Sequence, residues 1–249
     1  MMKKNDRKTN LISILVFTLS IVTLLSACSP ASQNTDSAVQ NAQELAAEIA
    51  VDTGNNTPEP RALTEGEAVA ASFAELQTAA QDTAVNTIYV DSDLSIDEDF
   101  LFERNNDLAI FISQGVTVTV NAGFTPVFCT MTNDGTIIIN GTFDHACNLV
   151  NNGTVTVKNG GTASSGMTSI TNNGDFSVEE GGSLLIERGT QFLNTGSTTN
   201  GGHISVGDGG SLDNQSGSIT NNGTIDISSY FEGDLEAITG TGTVNDNRE

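Results

Sequence analysis

CNLVNNGTVTV, residues 147–157, has near-copies downstream in TSITNNGDFSV, residues 168–178, and GSITNNGTIDI, residues 217–227. A reactive site is needed once, whereas a segment that recurs in phase is building material. An apolar pair follows each Gly-rich turn: Val118 and Val120, Ile137 and Ile139, Val155 and Val157, Phe176 and Val178, Ile204 and Val206, Ile225 and Ile227. The steps between pairs are 19, 18, 21, 28 and 21 residues. Members of a pair are two apart, so both point to one face of a strand. Met131, Leu149, Ile170 and Ile219 also fall in register, each four residues ahead of its Gly. The turns read TNDG, VNNG, TNNG and TNNG, and Asn and Gly tolerate the positive φ of a sharp corner.

A second turn signal follows the strands in KNGGT, EEGGSL and DGGSL. Two turn signals in each short unit predict an all-β fold, a parallel β-helix or β-solenoid, in which a rung buries its apolar residues only by stacking on neighbours. Asn-Gly is also the strongest hairpin signal. Hairpin arms here would be only three or four residues long, and the common phase favours stacking. The segment resembles the right-handed parallel β-helix domains of pectin-lyase-like and bacterial surface proteins over roughly residues 84–245. The handedness comes from that resemblance alone.

The N-terminus has a different character. MMKKNDRKTN carries Lys3, Lys4, Arg7 and Lys8, and an uncharged run extends from Leu11 to Leu25. A basic segment followed by an apolar run too short to span a bilayer comfortably is a signal peptide pattern. It closes on LSAC, Leu25 to Cys28, which resembles the lipobox of bacterial lipoproteins. The resemblance implies a signal peptide over residues 1–27, a lipidated Cys28, and an exported protein held in the membrane of a bacterial cell envelope. Two acyl chains suffice for stable anchoring.

Residues 28–63 read as a flexible tether, small and polar, with two of the chain's four prolines in VDTGNNTPEPRAL alone. Thr64 and Glu67 fit a capping box, and Val69, Phe73, Leu76 and Ala80 make an apolar stripe. Residues 64–83 are therefore expected to form a capping helix on a solenoid domain of residues 84–249.

Without its leader the chain has five basic residues (nine less four) and thirty acidic ones (thirty-one less Asp6), a charge of about −25. No basic patch is left for phosphates, which excludes nucleic acid as a partner class. An acidic surface can still collect divalent cations weakly. No cofactor motif is present, and no ligand set for a bound metal.

The residues between the inward pairs should form two outward ladders: Thr117, Thr136, Thr154, Asp175, His203, Thr224, and Thr119, Ile138, Thr156, Ser177, Ser205, Asp226. Lys158 and Glu179 fall side by side as an ion pair, and Asp175 beside His203 would be an acid–base pair if their rungs were adjacent. Acids facing Asp175, such as Glu179 or Asp208, would be needed for glycoside hydrolysis. The long step from Val178 to Ile204 reads as a partial extra rung or an insertion on a binding face. Cys129 and Cys147 each lie six residues before a corner Gly, so stacking brings them together as a disulfide or as a ladder of two buried thiols. These readings favour a lipid-anchored display or binding module, for adhesion to glycan or to another surface protein. The alternative is a polysaccharide-active lyase or hydrolase of the β-helix type. No catalytic residues can be named for it.

Overall fold

The computed structural model describes residues 61–248, apart from Met167 and Asp208. The expected leader, Cys28 and all but the last residues of the expected tether lie outside the described residues.

Three faces of short strands follow one another around each turn. Face A holds Leu94–Ile96, Thr117–Val120, Thr136–Ile139, Thr154–Val157, Asp175–Val178, Ser197–Asn200 and Ser218–Asn221. Face B starts with residues 100–103, 123–127 and 142–146 and continues through Thr162–Ser165, Ser183–Ile186, His203–Val206, Thr224–Ile227 and Thr243–Asp246. Face C starts with Glu67–Ala70 and Thr87–Val90 and ends with Gln191–Asn194, Ser211–Asp213 and Tyr230–Glu232. The chain visits C, then A, then B, and each strand pairs in parallel with the one a turn below, such as Ile137 with Val155 and Leu184 with Ile204. That excludes antiparallel hairpins. In Phe100–Ile112, Gly123–Asn133 and Thr142–Asn151 the strand bends from B into C without a break. Faces B and C therefore form one 14-stranded sheet beside the 7-stranded face A.

Inward positions alternate with outward ones and stack into apolar columns. Phe100, Phe124 and Phe143 stack with centroids 6.1 and 5.6 Å apart, and Phe176 meets Phe192 edge-on at 5.3 Å across the core. The in-phase pairs put Ile137, Val155, Phe176 and Ile225 in one column, and three of these four do stack there. The first three are successive partners on face A, but Phe176 is followed by Thr198 and then Ile219. Ile225 is equally buried yet stacks on Ile204 in face B.

The cause of the slip is visible in SITNNG, which occurs twice. Residues 169–174 use it to turn from C to A, and residues 218–223 use it to turn from A to B. One corner module serves two of the three corners, so identical words mark positions a third of a turn apart. The 28-residue step is thus neither an insertion nor a partial rung; Phe176 and its true partner Thr198 are 22 residues apart.

The corner asparagines set the register. Asn133, Asn151, Asn172, Asn194 and Asn214 are buried one above another. Each amide donates to the carbonyl oxygen of the next, at 2.7, 2.7, 2.8 and 2.6 Å. The second amide hydrogen goes to a backbone carbonyl beyond the corner above, as from Asn172 to Ser197 at 3.0 Å. Asn200 and Asn221 repeat the pattern at the A-to-B corner, 2.8 Å apart. At the foot of the first ladder Asn133 rests on Ile112, and its Oδ1 is buried without a partner. The glycine of the module is there for space, and not for the positive φ expected from the sequence. A Cβ on Gly174 would lie 2.1 Å from the Gly153 carbonyl oxygen below it. Positive φ belongs to the other turn motif, at Gly160, Gly181 and Gly209.

The expected capping helix is displaced. Thr64 N–H does donate to Glu67 Oε2 at 2.7 Å, but Glu67–Ala70 is the first strand of face C, so the solenoid starts well before residue 84. The helix, α1, is Phe73–Gln81. Its cap is Ser72, which accepts from Glu75 N–H, while the Glu75 carboxylate accepts Ala71 N–H at 2.8 Å. The stripe now buries Leu76, Ala79 and Ala80, and Phe73 packs edge-on against Phe100 at 5.6 Å. α1 therefore covers the first rung as expected. Buried Arg104 closes its C-terminus, donating to the carbonyls of Ala80, Asp82 and Val85.

Removing one amide from the buried ladder strands its neighbours, whereas exposed Asn173, which donates to Asn152 at 2.8 Å, can turn to water. We expect Asn172→Ala to cost about 2 kcal/mol or more, and Asn173→Ala about 0.5 kcal/mol or less. Equilibrium urea unfolding of both variants measures the difference.

Candidate functional site

True register redraws the outward ladders. On face A, Thr117, Thr136, Thr154 and Asp175 are followed by Ser197 and Ser218. Beside them run Ser95, Thr119, Ile138, Thr156, Ser177, Thr199 and Thr220. From Thr117 to Thr220, ten of these twelve outward positions carry a hydroxyl, so face A is a regular hydroxyl-bearing plane. No register shift interrupts it. The expected places of His203, Ser205, Thr224 and Asp226 on this plane are wrong, because all four belong to face B.

The acid–base reading of Asp175 and His203 fails for the same reason. Asp175 has Thr154 and Ser197 as neighbours. His203 instead bonds Asp226, Nε2 to Oδ2 at 2.8 Å. The Asn245 amide, at 2.7 Å, and then His203 hold the Asp226 carboxyl below the usual carboxylate range. Both side chains stand on an open sheet surface. Lys158 and Glu179 meet at 2.5 Å as expected, and such a half-exposed pair contributes little. Asp208 lies outside the described residues. Among the described residues no three or more His, Cys, Asp or Glu side chains converge on a point where a metal could sit.

The acids of the first rung are committed to corners. Asp93 and Asp99 accept the backbone N–H groups of Thr117 and Gly123 at 2.7 and 2.8 Å, and Asp97 accepts the Asn121 amide at 2.7 Å. Their clustering in DSDLSIDED follows from position: they cap the corners of the rung above.

Cys129 and Cys147 are joined in a disulfide with Cα atoms 4.7 Å apart. The register between Val127 and Thr130 slips by one residue against Ala146 and Asn148, leaving a bulge at Phe128, whose φ is 57°. Plain in-register stacking would hold the Cβ atoms too far apart for a relaxed bridge. The bulge breaks that geometry. Next to the bridge, His145 points inward, fully buried, with Nδ1 2.8 Å from the Cys147 carbonyl oxygen and its ring 4.9 Å from Phe143. The carbonyl fixes the proton on Nδ1 in the neutral ring, and burial lowers the pKa from 6.5 to about 4.

One surface feature went unread in the sequence. Tyr89 and Phe111 are successive partners at an outward position of face C, their rings stacked at 5.4 Å and 22°. Tyr89 donates its hydroxyl hydrogen to Glu67 at 3.1 Å. The signal is present in TIYV and AIFI, where an aromatic stands between two inward aliphatics. A shallow depression of about 510 Å³ lies near the other end, lined by Gly209, Ser228, Ser229, Tyr230, Phe231 and Arg248.

No protein-family model matches the chain, and no curated protein or solved structure does either. The class rests on the architecture: this is an all-β protein of the parallel β-solenoid type with a short helix over its first rung. Among the described residues no helix is long and apolar enough to cross a membrane.

His145 gives the fold a pH dependence. Its pKa is lower in the folded chain, so the unfolded chain binds the extra proton. Stability is full above about pH 6.5, falls as the pH drops towards 4, and loses about 3 kcal/mol over that window. His145→Phe should flatten this part of the profile, measured as the difference in urea unfolding between pH 7 and pH 4.5.

Proposed function

We propose that the protein is an exported, lipid-anchored β-solenoid that displays binding faces at the cell envelope, and that its ligand is glycan or another surface protein. The observation that carries this reading is the outward arrangement. Faces are flat and polar, hydroxyls repeat at every rung of face A, and the Tyr89–Phe111 pair offers an aromatic platform on face C. Stacked rings with a polar tip suit a sugar, which presents an apolar face edged by hydroxyls. The sheet holds its side chains in fixed rows, so little ordering is required when a ligand binds. Polysaccharide cleavage, the other reading, requires several acids and a base converging on one bond. The acids in the rungs are spread among corners and surface pairs instead.

Anchoring is tested by metabolic labelling with a fatty acid. Cys28→Ala should abolish incorporation and leave the protein released or held as precursor; unchanged labelling would contradict the anchor.

Binding is tested by screening soluble residues 62–249 on glycan and matrix-protein arrays. A glycan hit should weaken at least tenfold in Tyr89→Ala/Phe111→Ala. Release of shortened oligosaccharides from any polysaccharide would instead establish the enzyme reading.

A further inference from the structure

The Tyr89–Phe111 pair belongs to a longer row on face C. In register, the outward positions run Tyr89, Phe111, Thr132, Val150, Thr171 and Leu193, each half-buried between its neighbours. The flanking row, from Thr87 to Gln191, holds three hydroxyls, two amides and the Ala109 methyl. Both slips of register, after Glu103 and after Val127, fall ahead of face C, so the two rows stay straight.

No position in these two rows carries a charge, in a chain whose formal net charge is −22. The outward rows of the other faces do, with Asp175 on A and Asp144 and Asp226 on B. On face C the charges stand at the limits of the strip, Glu67 below it and Asp213 and Glu232 above. An anionic polymer would find no cation here and an acidic surface all around. An uncharged one meets no such opposition.

The strip is also narrow. It is about 24 Å long, with its two columns about 7 Å apart, an area of roughly 250 Å². A specific protein interface takes about 800 Å² from each partner, so a second copy or a globular protein would have to cover charged surface as well. A peptide could add only to a free strand edge. Every strand of face C from Thr87–Val90 to Gln191–Asn194 is paired on both sides.

We propose that this strip binds an uncharged linear polysaccharide lying along the solenoid axis. The apolar faces of its sugar rings rest on the row from Tyr89 to Leu193, and its hydroxyls bond the flanking hydroxyls and amides. The site rests on the display reading above and narrows its ligand to one class.

The full chain in detergent, applied to an array of disaccharides and hexasaccharides of glucan, mannan, xylan and galacturonan, tests this. At least one uncharged hexasaccharide should bind at least tenfold more tightly than its disaccharide, and galacturonan should not bind. Val150→Glu should weaken that binding at least tenfold. Thr130→Glu, at an exposed position of the flanking row, should do the same with melting unchanged. Thr156→Glu puts the same charge on face A and should leave binding as it was. Preference for galacturonan, equal binding of the two lengths, binding that survives both face C charges, or loss in Thr156→Glu overturns the strip and leaves a glycan-binding solenoid standing. Binding to no sugar on the array overturns the strip and the glycan reading together.

Discussion

A buried amide that must find partners fixes this structure. An asparagine inside a solenoid corner brings two donors and an acceptor into a space without water, and leaving any of them unpaired is costly. The solution is a ladder in which each amide bonds the next rung's amide and a backbone carbonyl past the corner. Only one vertical alignment of the rungs allows that. Apolar columns alone would accept a shift of two residues along a strand at modest cost; the ladder does not. The stacked glycines follow from the same close approach, since a Cβ at Gly153 would fall 2.1 Å from the Gly135 carbonyl oxygen.

From the ladder to the surface the link is short. Once register is fixed, outward side chains stand in straight rows about 4.8 Å apart. Face A becomes a plane of threonines and serines, and face C places Tyr89 directly beneath Phe111. Where register slips, at Glu103 and at Val127, the faces lose their regularity, and the bulge at Phe128 admits the Cys129–Cys147 bridge. The regular part and the irregular part therefore serve different ends: one builds flat rows, the other ties two rungs covalently.

The solenoid was legible in the sequence because an apolar pair at period two after a fixed turn leaves little freedom. Ile137, Val155 and Phe176 were placed correctly for that reason. Ile204 and Ile225 were assigned to the wrong face because SITNNG reads the same at two corners, and a linear repeat carries no label for the corner it occupies. The missing clue was LNTG at residues 193–196, a weaker version of the module at the C-to-A corner. The helix was misplaced for a similar reason: Thr64 and Glu67 do bond as a capping box would, but the hydrogen bond closes a turn into a strand. Cys129 and Cys147 came together as expected, since they precede the corner in the part of the chain where the phase was right. Tyr89 and Phe111 are not legible in the same way, because an outward residue between two inward aliphatics carries no repeat of its own.

The central claim is the phase of the rungs beyond Phe176, and cross-linking between engineered cysteines measures it most directly. Ser177 and Thr199 are register partners on face A, whereas Ser205 lies on face B beside Leu185 and Asp226. Treatment of Ser177→Cys/Thr199→Cys with a short bis-thiol-reactive cross-linker, read by mass spectrometry of the linked peptides, should give an intramolecular bond between residues 177 and 199. Ser177→Cys/Ser205→Cys should give none. A bond in the second variant and none in the first would contradict the ladder register and the surfaces derived from it.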